Sequence, residues 1–509
     1  MGYEQVRKLF NERAERQGAV RGLRKTVVGR GRIGVAMGCY SLWMVACCVG
    51  RPVEVPLLGG LAVPAWILPL LCNAAASTVI AVRFRRTRVV RSGKSWIAML
   101  IGLMTMAAVL HFAWMEGAAW AAEIRLALFV GASVLTGVGA ALFRVEIDRV
   151  FGWIGTQQTL YQGVLATAAH VVLLGMCLAI GSAAGLWDGH EALGVLALAM
   201  PAATGCLLHS VVRVLPRGRF FDHGISAPLP FPTKFVATSG IQGLAAGILY
   251  GTLFVVCGDA PLLAPGAIAG QLVGAVLLFL TVMFLRLDFN RFIYKVAFPF
   301  VAAGFLLAGL RWGGVEVGAA VLMAGFCYLD LVLWSLGACL IKNMGLPATW
   351  VAACPGAALF FGATVGGLFV CTLAAARPLA APVEYGSLMA CLLLASALFL
   401  SSGNNMKYGW GTIVPGEGGI DLGDLSGVVR FVAVERGVSQ RETEVMELLV
   451  QGKTRREICD ALTVSPDTVK THVRAIYRKL DVHSQQDLVD RIVAERDRLV
   501  EDPAAEPLR

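Results

Sequence analysis

The sequence has few charged side chains for its length. Of its 509 residues, 15% are Asp, Glu, Lys or Arg, whereas 57% are hydrophobic and the mean hydropathy is +0.69. Soluble globular domains carry about 25% charged residues, so a wholly soluble protein of this length is excluded. The apolar excess lies before Gly403, in long runs separated by short polar loops, which is typical of a polytopic membrane protein.

Motifs of the common catalytic and metal sites are also absent. Thirteen cysteines are scattered without a Cys-x-x-Cys pair or a histidine at metal-ligand spacing, and we interpret them as packing residues. The sequence has no phosphate-binding Gly-x-x-x-x-Gly-Lys-Ser/Thr loop, no nucleophile elbow and no carboxylate pair. It therefore predicts no enzyme, no cofactor and no metal site.

The first 32 residues are polar and carry nine Lys or Arg. They contain neither an apolar core nor a small-residue cleavage site, so they are not a secretory signal peptide. We predict a basic cytoplasmic segment at residues 1–32. Its pattern fits an amphipathic helix on the membrane surface and a solvated tail equally well.

Apolar runs fill residues 33–402, and most of them exceed the roughly 18–20 residues that cross a bilayer as a helix. We predict an all-α, polytopic domain of about twelve transmembrane helices. The expected spans are 33–50, 57–82, 96–114, 125–143, 156–182, 192–212, 235–257, 263–285, 296–310, 317–341, 348–373 and 386–402. The ninth span is short and contains Pro299, which leaves its limits open.

Loop charges give the orientation. With the N-terminus inside, the inner segments before residue 403 hold 25 Lys and Arg, and the outer segments hold four. These inner segments are 1–32, 83–94, 144–149, 213–234, 286–295 and Lys342. This asymmetry follows the positive-inside rule. We therefore predict a multi-pass protein of the cytoplasmic (inner) membrane with both termini in the cytoplasm.

The longest inner loop, at residues 213–234, divides the expected helices six and six, and basic loops at 83–94 and 286–295 occupy matching places in the two halves. This layout resembles the major facilitator architecture, a bundle of two times six helices around a central cavity. The family's Gly-x-x-x-Asp-Arg-x-Gly signature is missing, because the corresponding segment reads Arg-Phe-Arg-Arg-Thr-Arg-Val-Val-Arg-Ser-Gly-Lys. The resemblance therefore concerns architecture and does not establish transport.

Few ionisable residues lie inside the expected spans. Asp330 falls near the middle of the tenth and His170 in the middle of the fifth, and Gln242 and Gln271 also lie within spans. A carboxylate in the bilayer usually faces a cavity or a partner, but it can also form a structural hydrogen bond between helices. We take these four residues as candidate sensor positions, with the structural interpretation kept open and favoured for His170.

Residues 403–437 are rich in glycine and are predicted to be a flexible linker. No soluble sensor module fits between the last span and the C-terminal segment, and the expected outer loops are short. Any signal must therefore be received by the membrane domain itself.

Residues 438–490 carry three helix starts within one compact pattern. They are the capping boxes Ser439/Glu442 and Thr454/Glu457 and the N-cap Ser465 followed by Pro466. The second and third helices are separated only by a tight corner, which is a helix-turn-helix. The third helix is apolar on one face and basic on the other, as a helix that enters a DNA major groove would be.

These residues resemble the LuxR-type (GerE-like) DNA-binding domain of bacterial regulators. The motifs Ser-x-Arg-Glu-x-Glu-Val, Gly-x-Thr, Glu-Ile, Thr-Val-Lys-x-His-Val and Ile-Tyr-x-Lys-Leu stand in the family's order. The resemblance implies a four-helix domain at 438–498, in which a fourth helix from about Ser484 to Arg498 often mediates dimerisation, and a tail at 499–509.

The resemblance also implies which residues meet DNA. Base-reading positions fall on Lys470, Thr471 and Arg474, and phosphate-contacting positions fall on Thr454, Thr468 and His472. Two departures from the family pattern are Cys459, where alanine is usual, and Gln485, where arginine is common. Basic and acidic side chains balance at nine each between Ser439 and Arg491, so one copy should bind DNA weakly and a homodimer is expected.

The sequence thus predicts a membrane-embedded transcription regulator whose membrane domain senses a small molecule or a membrane state. Its expected partners are double-stranded promoter DNA, the lipid bilayer, a second copy of the chain and an unknown small-molecule ligand, with RNA polymerase as a further candidate. Two alternatives remain: a major-facilitator-like transporter with an accessory regulatory DNA-binding tail, and a membrane scaffold with a degenerate tail.

Overall fold

A computed structural model gives the fold of the protein. It describes residues 31–49, 54–56, 62–84, 93–117, 120–184, 189–212, 233–257, 265–284, 289, 291–310, 314–342, 346–376, 381–400, 428–429, 432–433, 435–450, 455–462 and 464–501. The expected N-terminal segment up to residue 30, most of the linker and the last eight residues lie outside these ranges. The chain divides into two compact units. One, the membrane unit, comprises residues 1–218, 231–338 and 347–416; the other comprises residues 219–230, 339–346 and 417–509, and its C-terminal part, the C-terminal unit, is described from residue 428.

Within the described ranges, the membrane unit consists of twelve helices, one at the place of each expected span. They are α1 Arg32–Val49, α2 Ile67–Arg83, α3 Lys94–Glu116, α4 Ala122–Ile154, α5 Thr156–Ala184, α6 Gly189–Val212, α7 Thr233–Cys257, α8 Pro265–Phe284, α9 Phe298–Leu310, α10 Gly314–Lys342, α11 Ala348–Ala376 and α12 Ala381–Leu400. Six of them are by themselves long and apolar enough to cross a membrane, a seventh candidate span joins α9 to the turn before it, and four shorter apolar helices accompany them. Large apolar side chains such as Leu398 and Phe399 are 79% and 80% exposed on the outer surface, as lipid-facing residues are.

A short hairpin accompanies the helices of the membrane unit. Strand β1 (Glu54–Pro56) pairs antiparallel with β2 (Ala62–Pro64), with Val55 opposite Val63. The second span was expected from residue 57, but α2 begins only at Ile67. Pro64 has no N–H to donate to a helix, which favours an extended start.

The expected inner loop at 144–149 is wrong, because α4 runs through it to Ile154. Arg149 forms an ion pair with Glu146 one turn away, and Trp96 Nε1 donates to Glu146 Oε1 over 2.9 Å. These partners let the charged residues stay inside a helix. Gly155, with φ 86°, then separates α4 from α5, a conformation that favours glycine.

The ninth helix is longer than its expected span. A π-helical turn, Arg291–Ala297, precedes α9 and converts part of the expected loop 286–295 into helix. Pro299 lacks an N–H and its ring displaces the preceding turn, and a wider turn accommodates such a disturbance. Together the two segments supply a candidate span from Arg291 to Ala308.

Small residues allow α7 and α11 to pack with their backbones in contact. A Cβ added at Gly243 or Gly247 would collide with the carbonyl oxygens of Leu359 and Ala363, and one added at Gly366 would collide with Leu244 O. Close approach through small residues is a general way to pack helices in a bilayer, where lipid tails are as apolar as leucine.

Contacts join the first six helices to the last six at several levels. Thr349 Oγ1 donates to Phe84 O over 2.9 Å, and Ser335 Oγ donates to Thr156 O over 3.1 Å. Farther along α11, Gly367 leaves room for the ring of Trp66, which also packs edge-on against Tyr250 at 6.1 Å between ring centroids.

The described part of the C-terminal unit contains four helices around one apolar core. They are α13 Gln440–Val450, α14 Arg455–Leu462, α15 Pro466–Leu480 and α16 Gln485–Glu501. The core includes Val445 and Leu449 of α13, Ile458 of α14 and Ile476 of α15. The helix-turn-helix expected from the sequence is therefore present, with the fourth helix after it.

The end of the predicted linker belongs to this core. Val428 and Val429 are fully buried and Val432 is 3% exposed, all in the cluster that contains the helix-turn-helix core. Arg436 N donates to Val432 O, and the turn closes at Gly437 with φ 63°. The linker boundary at 437 is therefore wrong. Burial of the apolar side chains from 428 onward lowers the free energy of the unit, whereas in a linker they would stay exposed to water.

Candidate functional site

Helix α15 is set by its two caps. Ser465 Oγ accepts a hydrogen bond from Thr468 N over 3.2 Å, and Pro466 occupies the first helical position, as the sequence predicts. At the other end Asp481 is left-handed with φ 53°, and its N–H bonds to Tyr477 O. Because backbone groups at both ends of α15 have hydrogen-bond partners, the first and last residues of the helix are fixed, and so are the positions of its side chains.

The two faces of α15 differ as expected. Val469, Val473, Ile476 and Leu480 are buried in the domain core. The predicted base-reading residues Lys470, Thr471 and Arg474 are all exposed on the other side, within about one turn of each other. Their exposure leaves the two cationic groups free of the core and available to the edges of bases.

The predicted phosphate-contacting residues are placed less uniformly. Thr468 is exposed, but its hydroxyl lies 2.8 Å from Ser465 Oγ within the cap. His472 is partly buried beside the base-reading face, and Thr454 lies outside the described residues. Thr471 Oγ1 donates to Asp467 O over 2.9 Å, so its remaining lone pairs and its methyl group face outward.

A polar network joins α13 to the end of α15. Ser439 N donates to Glu442 Oε2 over 2.7 Å and Glu442 N donates to Ser439 Oγ over 3.4 Å, which confirms the first capping box. Lys479 Nζ lies 2.7 Å from the same Glu442 oxygen and 2.9 Å from Gly437 O. Burial raises the pKa of Glu442, but the hydrogen bonds from Lys479 and Ser439 outweigh it and hold the pKa at about 2.

Gln485, a departure from the family pattern, has a clear structural role. Its Nε2 donates to Leu449 O over 2.8 Å, which satisfies a carbonyl in the last turn of α13. Ser484 Oγ accepts from Asp487 N at the start of α16. The amide therefore fixes the fourth helix against the first.

Comparison with known proteins identifies this segment. Residues 437–492 match the family model of bacterial regulatory proteins of the luxR family. The chain is 44% identical over 52 residues to the uncharacterized response regulatory protein YgeK of Escherichia coli (strain K12), over 10% of this chain and 35% of that protein. The chain thus spans about a third of the length of this curated relative, and its C-terminal unit is a LuxR-type DNA-binding domain.

In the membrane unit, two of the four candidate sensor residues meet. Gln242 Nε2 of α7 donates to Asp330 Oδ1 of α10 over 3.4 Å, and Trp334 Nε1 donates to Asp330 Oδ2 over 3.1 Å. Gln242 is buried and Asp330 is partly buried. The guanidinium carbon of Arg144, from α4, lies 4.9 Å from the centroid of the Trp334 ring.

The other two candidates stand elsewhere. His170 on α5 is 4% exposed, next to Gly38 of α1, and neither ring nitrogen has a hydrogen-bond partner among the described residues. Gln271 is partly buried on α8, next to Gly270, which packs on the Ala320 backbone. No described contact joins either residue to Asp330.

Sequence reasoning missed Arg144 and Asp148, because both fell in an expected loop. Both lie on α4 one turn apart, and both interact electrostatically with Asp330. Their i, i+4 spacing in Arg-Val-Glu-Ile-Asp-Arg, together with the i, i+3 pair Glu146 and Arg149, was a detectable helical signal.

The fold of the membrane unit has known counterparts. The structure of the major facilitator superfamily proton:xylose symporter XylE is similar with a TM-score of 0.51 and 13% identity, over 74% of this chain and 94% of that chain. The fucose:proton symporter FucP of E. coli matches with a TM-score of 0.47 and 13% identity, over 75% and 98%. The chain is therefore a LuxR-type DNA-binding domain fused to a major-facilitator-like membrane domain.

Proposed function

We propose that the protein is a membrane-embedded transcription regulator in which the membrane unit controls DNA binding by the C-terminal unit. The observation that carries the proposal is the presence, in one chain, of a LuxR-type domain with an exposed basic helix and a multi-helix membrane unit. Double-stranded promoter DNA is the proposed ligand of Lys470, Thr471 and Arg474, with Thr454, Thr468 and His472 at the phosphates.

The proposal places the chain in the cytoplasmic membrane with both termini inside, where DNA is reached. Lys470 and Arg474 are the exposed cations of the base-reading face, and Asp467 lies exposed one turn before Thr471. Because one copy of the domain offers few cationic side chains to neutralise DNA phosphates, it should bind DNA weakly. We therefore propose that the protein binds DNA as a homodimer. RNA polymerase is a further proposed partner. Domain limits of 33–402 for the membrane domain and 428–498 for the DNA-binding unit go with this arrangement.

The membrane unit is proposed to receive the signal, and Asp330 with Gln242 is the proposed receiving site. Its support is the hydrogen bond that joins α7 to α10 at the Asp330 carboxyl group. A ligand can shift the protein only by its differential affinity for two packings, and a preference of about 100-fold supplies about 2.7 kcal/mol. Such a bias is enough to change how two weakly binding domains meet.

The proposal is tested by chromatin immunoprecipitation of the tagged full-length chain. Specific sites should be recovered from cells with the wild-type protein and lost with the double variant Lys470→Ala and Arg474→Ala. The Arg441→Ala variant, which removes an exposed cation from α13, is the control and should keep the sites. Identical site recovery by the double variant at equal membrane abundance would show that DNA is not recognised through α15.

A transporter with an accessory DNA-binding tail is the second candidate. It is favoured by the likeness of the membrane unit to a proton:xylose symporter. Uptake of labelled xylose and related small solutes into vesicles that contain the full-length chain separates the two candidates. Uptake that is lost in the Asp330→Asn variant and unaffected by the double variant in α15 would make transport the primary activity.

A further inference from the structure

An acidic side chain lies on the face of α15 that carries the candidate base-reading residues. Asp467 is exposed, and it precedes Lys470 by three residues and Arg474 by seven. At 3.6 residues per turn, these side chains and Thr471 fall within an arc of roughly 100° around the helix. The buried residues of α15, such as Val473, lie on the opposite side. Asp467 therefore shares the face that is proposed to enter the major groove.

The charges on this face are not paired with one another. An acid and a base three residues apart on a helix can form an ion pair, and Arg441 and Glu444 do so at 2.6 Å on the exposed side of α13. Asp467 and Lys470 have the same spacing, yet in the described part of the chain no ion pair or side-chain hydrogen bond engages either charged group. The carboxylate of Asp467 thus keeps its full capacity to accept hydrogen bonds from another molecule.

Helix stability accounts for an acid at this place but not for its effect on DNA. Asp467 lies in the first turn of α15, where a carboxylate interacts favourably with the helix dipole. On DNA the same carboxylate is repelled by the phosphates. It is favourable in the groove only where a base offers a hydrogen-bond donor to it.

The major groove offers two kinds of donor, the N4 amino group of cytosine and the N6 amino group of adenine. An ionised carboxylate can only accept hydrogen bonds. Adenine places its N7 acceptor beside N6, which repels the second carboxylate oxygen, whereas cytosine itself presents no acceptor beside N4. Guanine and thymine present the acceptors O6, N7 and O4 to the groove. Cytosine is therefore the base that suits an aspartate.

We infer that Asp467 is a specificity-determining residue of the DNA site and that it selects cytosine. Lys470 and Arg474 are suited to O6 and N7 of guanine. Seven residues of helix separate Asp467 from Arg474 by about 10.5 Å along the axis, which corresponds to about three base-pair steps. The DNA ligand is then a half-site in which a cytosine lies within about three base pairs of a guanine. This assignment rests on the proposed function, since it requires α15 to enter the major groove.

In vitro selection from a random pool of double-stranded DNA tests the assignment, with the purified full-length protein in detergent as the bait. The wild type should enrich a motif with a fixed cytosine, preferred at least about fivefold over other bases in duplexes that differ only there. Asp467→Asn keeps the shape and adds a donor, and asparagine pairs with N6 and N7 of adenine, so the fixed cytosine should become adenine. Asp467→Ala should lose the preference at that position and keep the guanines.

Asp481→Asn is the matched control. It removes an exposed carboxylate from the other end of α15, where the left-handed backbone with φ 53° suits asparagine. Its enriched motif should be that of the wild type. If Asp467 acts on the helix dipole alone, both of its variants would weaken all sequences alike and leave the motif unchanged, which would overturn the inference.

The selection also separates this inference from the proposed function. An enriched motif without a fixed cytosine, or with a cytosine that both Asp467 variants retain, contradicts the role of Asp467 and leaves DNA recognition through α15 in place. Failure of the wild type to enrich any sequence contradicts the proposed function, and the role of Asp467 with it.

Discussion

Lys470 and Arg474 are adjacent in space because they are four residues apart on α15, and both are exposed. Replacement of either by alanine should weaken specific DNA binding by about 1–3 kcal/mol, since each can bond a base edge. Electrophoretic mobility shift with a recovered promoter fragment measures the change. Arg441→Ala serves as the control, and an unchanged affinity of Lys470→Ala in a folded protein would move the base contact elsewhere.

The protonation state of Glu442 makes the stability of the C-terminal unit depend on pH. Its pKa in the folded state is lowered to about 2 from the ordinary 4.5, so its carboxylate stabilises the fold above about pH 4.5 and loses this effect as the pH falls towards 2. Chemical denaturation of a fragment that spans residues 425–509 should show this acid loss in the wild type. Glu442→Gln should be less stable at neutral pH, and its free energy of unfolding should change less than that of the wild type as the pH falls from about 4.5 to about 2.

Glu444 provides the comparison for this experiment. It pairs with Arg441 at 2.6 Å on the exposed face of the same helix, and such surface pairs contribute about 0–1 kcal/mol. Glu444→Gln should therefore keep the acid dependence of the wild type. An acid dependence that survives in Glu442→Gln would assign it to another group.

The segment before α13 is a further element of the DNA-binding unit. The family match begins at residue 437, whereas Val428, Val429 and Val432 are already in the core. The free energy of unfolding of a fragment of residues 438–509 should be lower than that of a fragment of residues 425–509, by about 1.5–3 kcal/mol for each buried valine lost. Urea denaturation followed by circular dichroism gives the difference.

The exposed residue Glu435 allows a control in the same segment. Glu435→Ala in the longer fragment should leave stability within about 0.5 kcal/mol of the wild type. Equal stability of the two fragments would mean that the segment is dispensable and that the unit starts at α13.

The contact of α7 with α11 depends on glycine. A methyl group at Gly247 would collide with Ala363 O, so Gly247→Ala should destabilise the membrane unit by about 1–3 kcal/mol. Thermal unfolding of the full-length protein in detergent reports this. Gly102→Ala on α3, where no atom lies within 4 Å of the added Cβ, should be neutral or slightly stabilising.

At the scale of the whole molecule, the orientation in the membrane is the decisive property. A reporter that is active only outside the cytoplasm should work when fused after Gly258 or Gly313 and fail after Gly403, since loop charges place Gly403 inside. Activity at Gly403 would put the LuxR-type domain on the side away from DNA and would contradict the proposed function. Equal abundance of the fusions in the membrane fraction, measured by immunoblotting, is the control.

Much of the architecture follows from local sequence alone. Twelve apolar runs predict twelve helices because a bilayer-crossing backbone must satisfy its own hydrogen bonds, and length and apolarity are visible in the sequence. The helix-turn-helix follows in the same way, since caps such as Ser439/Glu442 and Ser465/Pro466 act over three residues. The base-reading residues could be named only through the resemblance; all three are exposed, and their contact with bases stays a prediction.

Only the tertiary structure decided where charged and small residues are used. Arg144 and Asp148 were assigned to a loop, but both lie within α4. Asp148 is buried, and Arg144 is partly buried over Trp334 of α10, about 190 residues later in the chain. Val428 and Val429 were assigned to a linker until distant helices covered them. Local periodicity determines whether a segment is helical, whereas the energy of a buried charge or methyl group depends on neighbours that are remote in the sequence.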